Sequence, residues 1–161
     1  MFLLDTDPVR YTADNIDPTL CTHLIYGFAT LDASTYTIQI FDNFVDIDNE
    51  MYIKFNSLKR RNPILKTMIA VGGWNEQQSS KYSQLVADPL KIANFVNSVV
   101  TFLKAHEFDG LDLDWEFPSP NVDLEGDERL LKALRAAFEP HGFILSAAVS
   151  ALQVAIDEGK V

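Results

Sequence analysis

Apolar residues recur along the chain with two different periods, and the alternation between them predicts the elements. Residues 22–29 (Thr-His-Leu-Ile-Tyr-Gly-Phe-Ala) form a nearly continuous apolar run rich in β-formers and read as a buried strand. Residues 36–41 alternate and suit a short exposed strand or an extended loop. From Ile47 the period becomes helical, with Ile47, Met51, Phe55 and Leu58 on one face and Lys59, Arg60 and Arg61 in the last turn. Pro63 then prevents continuation. Residues 64–71 are a second buried strand, ended by Gly72-Gly73.

A short helix is expected over 77–86. Asp88-Pro89 reads as an N-cap followed by proline at the first helical position. The helix it opens runs to about His106, with Ile92, Phe95, Val96, Val99, Val100 and Leu103 as its apolar stripe. Residues 109–115 are a third strand. Residues 127–139 are a helix with Leu130, Leu131, Leu134 and Phe138 facing inward, and 143–149 are a fourth strand. The order strand–helix–strand–helix–strand–helix–strand predicts a parallel sheet with right-handed crossovers. Two architectures fit: an open doubly wound sheet, or part of a (β/α)8 barrel. A full barrel needs about 250 residues. A chain of 161 residues therefore supplies about four barrel strands, in one truncated domain spanning 1–161.

Composition narrows the function. Hydrophobic residues make up 47% and charged residues 22%, which excludes a disordered or collagen-like chain. A net charge of -10 repels a phosphate backbone, and Lys59-Arg60-Arg61 is too short a cluster to reverse that, so no nucleic-acid partner is expected. No run reaches the roughly 18 apolar residues of a membrane span, so no membrane partner is expected either. The opening Met-Phe-Leu-Leu meets Asp5 and Asp7 too soon for a signal peptide. The one cysteine, Cys21, reads as a buried thiol acting as a small apolar residue. His23, His106 and His141 have no ligand spacing and read as structural or exposed.

The chemistry concentrates in Asp109-Gly-Leu-Asp-Leu-Asp-Trp-Glu-Phe-Pro118. On a strand, Asp112, Asp114 and Glu116 share one face and Leu111, Leu113 and Trp115 the other. Neighbouring acids then stand roughly 6.5–7 Å apart. Buried together they repel and pay for desolvation, so at least one should hold a proton near neutral pH, as general-acid chemistry requires. Two other readings remain open from spacing alone: an edge strand with its acids in water, or a calcium or magnesium site.

The same decapeptide resembles the DGxDxDWEYP signature of glycoside hydrolase family 18, the chitinase family. Ala70-Val-Gly-Gly-Trp-Asn75 is similar to that family's SxGGW strand end. Residues 20–29 resemble its second barrel strand and 145–150 its fifth. The resemblance implies a partial (β/α)8 barrel, about strands 2 to 5 of eight, with the site at the C-terminal strand ends. It implies Glu116 as general acid, Asp114 as the residue that orients the substrate's own N-acetyl group, and Asp112 beneath, sharing a proton with Asp114. It implies Gly72, Gly73, Trp74, Asn75 and Phe117 as substrate-binding residues, with Phe41 near another such position. The expected substrate is chitin or a chitooligosaccharide, hydrolysed by a substrate-assisted retaining route, with no cofactor and no metal.

The alternative is a catalytically deficient fragment or a lectin-like chitin-binding relative. Phe117 replaces the family's tyrosine and Ala70 its serine. The family's opening strand, its Met-x-Tyr-Asp strand and its last strand are missing from this sequence, so turnover is expected only if another chain completes the cleft. The strands near Leu24 and Leu145 would be open edges, inviting self-association. The family resemblance points to an extracellular location.

Overall fold

The computed structural model describes residues 12–76, 80–116 and 123–149. Five strands form one sheet in the order β2-β1-β3-β4-β5. They are β1 (His23–Leu31), β2 (Ile38–Ile40), β3 (Lys66–Gly72), β4 (Gly110–Asp114) and β5 (Ile144–Ala147). β2 folds back antiparallel on Ala29–Leu31 alone, while β1, β3, β4 and β5 are mutually parallel. The parallel strands lie side by side in chain order, with no reversal. That is barrel winding, and it removes the doubly wound alternative, whose strand order must switch direction.

Four helices cover one face: α1 (Met51–Asn56), α2 (Lys81–Val86), α3 (Pro89–His106) and α4 (Leu124–Phe138). The predicted cap holds, since Asp88 Oδ1 accepts a hydrogen bond from Leu90 N at 2.8 Å. Phe102 joins the expected stripe of α3 in the core, while Val100 is only partly buried. The helix expected from Ile47 is instead interrupted. A π-turn spans Phe44–Asp48, Glu50 adopts φ 57°, and only then does α1 begin. The break lets Asp46 reach inward to the Tyr26 hydroxyl, 2.5 Å away, which a straight helix would not permit.

α4 starts three residues earlier than expected. Asp127 N donates to Asp123 O at 2.7 Å, and Gly126 brings this first turn directly against α2.

Strand alternation sorts the core. Ile69 and Val71 of β3, with Leu111, Leu113 and Trp115 on and just after β4, face the helices and join the main cluster with Phe95, Leu103, Leu130 and Phe138. Met68, Ala70, Asp112 and Asp114 occupy alternate positions and face what is the inside of a barrel. β3 is covered on both faces, as its apolar run implied, while the inward Asp112 and Asp114 of β4 are half-buried. β1 and β5 are not so covered: Ile25 is 49% exposed, and all of β5 is half-buried or exposed. β2 pairs with the far end of β1, so the edge near Leu24 is partly rather than fully open. Cys21 is exposed, contrary to the expectation of a buried thiol, because it lies in the loop ahead of β1, which no helix among the described residues covers.

A methyl group at Gly126 would meet Val86 O at 2.6 Å and Val86 Cβ at 2.7 Å. Alanine is the better helix former by about 1 kcal/mol, yet a clash with backbone cannot be relieved by a rotamer change. Gly126→Ala should therefore lower the stability measured by urea unfolding, by about 2 kcal/mol. A neutral or raised midpoint would mean that the seam between α2 and α4 yields.

Candidate active site

The C-terminal ends of β1, β3 and β4 enclose a cavity of about 430 Å3, where such a barrel places its chemistry. Each strand end contributes by a different device. In β1 the register slips between Gly27 and Ala29, a bulge that brings Phe28 to the cavity wall. In β3 the chain leaves through two glycines at φ 113° and 81°. A Cβ at Gly72 would lie 2.3 Å from Asp114 O, and one at Gly73 would lie 2.8 Å from the Phe28 ring. Gly73 N donates to Asp114 O at 2.8 Å. The glycine pair is thus needed for close approach on both sides, beyond simply ending a strand.

β4 carries the acids on a central strand, between β3 and β5, so the edge-strand reading does not hold. Asp114 and Glu116 line the cavity, and Asp112 does not. The Asp114 carboxyl is pushed up from its ordinary 3.8 to about 6, first by burial, then by the charge of Glu116 and the hydrogen bond to it, and last by Asp112. Asp112 is engaged elsewhere: Ser146 Oγ, its register neighbour on β5, donates to Asp112 Oδ1 at 2.5 Å. Asp114 is thus hydrogen-bonded to Glu116, while Asp112 acts on it as a neighbouring charge.

Trp74 opens a short 3-10 turn (Trp74–Glu76) and is 76% exposed, at the cavity rim and not in the core. Gly72, Gly73 and Trp74 come together at the cavity, and Phe41 joins them on the wall. Asn75 lies in the same turn. Phe117 lies outside the described residues. Sequence reasoning passed over Tyr26, Phe28, Asp42, Val45, Asp46 and Glu76, which also line the cavity. Asp46 is buried, and burial pushes its carboxyl above the ordinary value. Its only sequence signal was a polar residue just before a helical stripe. Among the described residues no three histidine, cysteine or acidic side chains converge to hold a metal ion.

A sheet whose parallel strands run in chain order, with an acidic, aromatic-rimmed cleft at its C-terminal edge, is the arrangement of a partial (β/α)8 barrel. Residues 5–161 match the family model described as glycosyl hydrolases family 18, and the chain belongs to that family. It is 43% identical, over 93% of its length, to "Probable chitinase 10" of Drosophila melanogaster. It is 40% identical, with a TM-score of 0.87 over 92% of its length, to a mutant of Group II chitinase catalytic domain 2 from Ostrinia furnacalis solved in complex with (NAG)5. It is 33% identical, with a TM-score of 0.81 over 94% of its length, to human YKL-39, described as a pseudo-chitinase with retained chitooligosaccharide binding properties. The chain spans only 7% of the fly protein, 41% of the moth chain and 42% of the human one.

The raised Asp114 value has a consequence for stability. Below 3.8 the carboxyl is protonated in folded and unfolded chains alike. Between 3.8 and about 6 the folded chain keeps a proton that the unfolded chain has lost, so stability falls as pH rises through that window. Asp114→Asn cannot ionise and escapes this loss. Its melting temperature relative to wild type should climb from about pH 4 to about pH 6 and level off above. A difference that stays flat with pH would place the proton on another group.

Proposed function

We propose that this chain forms the catalytic half of a chitin-hydrolysing cleft, with Glu116 as the general acid. The observation that carries the reading is Glu116 at the cavity wall, hydrogen-bonded to an Asp114 whose carboxyl titrates near 6, among Phe28, Phe41 and Trp74. A sugar ring offers apolar C–H faces to such aromatics and hydroxyls to the carboxylates. In the proposed reaction the Glu116 proton passes to the glycosidic oxygen as the bond to the anomeric carbon breaks. The substrate's own acetamide oxygen forms the new bond to that carbon, oriented by Asp114. Water, deprotonated by the Glu116 carboxylate, then opens the cyclic intermediate with retention. Gly72, Gly73, Trp74, Asn75 and Phe117 are the proposed sugar contacts.

The proposed substrate is a β-1,4-linked N-acetylglucosamine polymer, and the proposed location is extracellular, where such a polymer lies. Among the described residues no helix is long and apolar enough to cross a membrane.

The test is hydrolysis of a fluorogenic chitotrioside alongside calorimetric binding of chitotetraose. Wild type should bind and turn over. Glu116→Gln should keep its affinity and lose turnover by about a thousandfold. Equal turnover by the two proteins, or no binding by a folded wild type, would remove the assignment. A second reading, binding without turnover, is favoured by the likeness to human YKL-39, and wild type that binds but does not hydrolyse would establish it.

We include self-association in the proposal. Among the described residues β5 pairs with β4 alone, and Leu145 is half-buried beside a shallow apolar hollow against α4. In size-exclusion chromatography with light scattering, the 161-residue chain should run as a dimer or larger, and Leu145→Lys should shift it toward monomer. A monomeric wild type would remove this part.

A further inference from the structure

Glu76 has no role in the chemistry above, yet its carboxylate on the cavity wall accepts three side-chain hydrogen bonds. Its Oε1 accepts from the Thr30 hydroxyl at the end of β1 and from Lys81 Nζ at 2.5 Å. Its Oε2 accepts from the Tyr82 hydroxyl at 2.7 Å. Lys81 Nζ also donates to Leu31 O at 2.8 Å, so the ammonium closes the network back onto β1. The pair is largely withdrawn from water, with side-chain exposures of 14% for Lys81 and 9% for Glu76. An ion pair that dry is poor evidence of stabilisation, since both charges pay for desolvation and an apolar pair of like volume does as well. Its geometry suggests a different use.

Glu76 closes the 3-10 turn that Trp74 opens, through Glu76 N donating to Gly73 O at 2.9 Å. The turn holds a tryptophan that is three-quarters exposed, so packing alone cannot fix its ring. On the other side, the Tyr82 ring stacks on Trp115, with centroids 5.6 Å apart and planes at 23°. Trp115 immediately precedes Glu116. One carboxylate thus reaches the aromatic rim through its own backbone and the acid-bearing strand end through Tyr82. Burial, and then the Glu76 charge, push the Tyr82 phenol far above its usual range, so it remains a donor at any working pH.

We propose that Glu76 is a positioning residue that fastens the Trp74 platform to β1 and α2 and holds it in register with Glu116. The part that concerns sugar rests on the function proposed above. The clamp itself does not, and it can be tested without sugar.

The chain has two tryptophans, one at each end of this path. Labelling with 5-fluorotryptophan gives one fluorine resonance for each, assigned with Trp74→Phe. Glu76→Gln keeps the shape and loses the charge. Glu76→Gln with Lys81→Met removes both charges together and avoids a stranded buried ammonium. Tyr82→Phe keeps the stacked ring and removes one bond. Far-UV circular dichroism and melting establish which variants are folded, and Tyr82→Phe, the mildest, carries the test if the others are not.

In folded variants the Trp74 resonance should narrow and shift as the ring gains freedom, and the Trp115 resonance should move with it. Chitotetraose affinity, read by titrating the Trp74 line, should weaken about tenfold. Both resonances unmoved in folded Glu76→Gln and Tyr82→Phe would overturn the clamp. Chitotetraose that leaves every line of wild type unmoved would overturn the sugar reading and the positioning role with it, while the sugar-free spectra would still report whether the clamp exists.

Discussion

The contact on which the site depends is between two backbones. Gly72 passes so close to Asp114 that a single added methyl carbon would sit 2.3 Å from the Asp114 carbonyl oxygen, and the next amide, Gly73 N, bonds to that same oxygen. Parallel pairing brings Gly72 level with Asp114, so the aromatic turn and the acid strand end leave the sheet at the same height. Everything at the cavity follows from that level. Phe28 closes over the space Gly73 leaves bare, Trp74 begins its turn one residue later, and Glu116 follows two residues after Asp114. A side chain at position 72 would force β3 and β4 apart and separate the rim from the acids.

Alternation along β4 then divides the work. The helix-facing residues Leu111, Leu113 and Trp115 bury apolar surface and hold the strand in the core. The inward residues Asp112, Asp114 and Glu116 crowd carboxyl groups where charge is poorly solvated. The strand can tolerate the second face because the first is so well packed. This is how a stable scaffold carries a locally unfavourable site: an edge strand in water would leave the Asp114 carboxyl in its ordinary range.

Elements with strong local signals were legible from the chain alone. The four parallel strands, the Asp88 cap and the face shared by Asp112, Asp114 and Glu116 needed only period and capping rules. Choosing a barrel over an open sheet needed the family resemblance or the strand order, since both architectures share one alternation of elements. Other features were not legible because they depend on contacts distant in sequence. The break ahead of α1 accompanies the bond from Tyr26, twenty residues back, to Asp46. Ser146 diverts Asp112 only because register sets them side by side. Glu76 gains its importance from Thr30, forty-six residues earlier, which no local pattern announces.

The two ends of β4 make the last point in electrostatic terms. Asp109, just before the strand, is also partly buried, and burial pushes its carboxyl upward. Thr67 N–H, Lys59 at 3.0 Å and Lys66 at 3.9 Å outweigh that push and hold it below the ordinary value. Asp114, five residues on, is raised by burial together with the carboxylates of Glu116 and Asp112, and rises to about 6. The residue type is the same, the strand is the same and the desolvation has the same sign; what differs is the charge the neighbouring elements supply. Lys59 comes from the turn after α1 and Lys66 from the start of β3, both at the N-terminal end of the sheet. Lys81, on α2, is committed to Glu76 and Leu31 O. The sheet therefore neutralises its acids where they brace the fold and leaves them facing one another where the cavity opens. A proton held near pH 6 at that end is a consequence of where the lysines are spent.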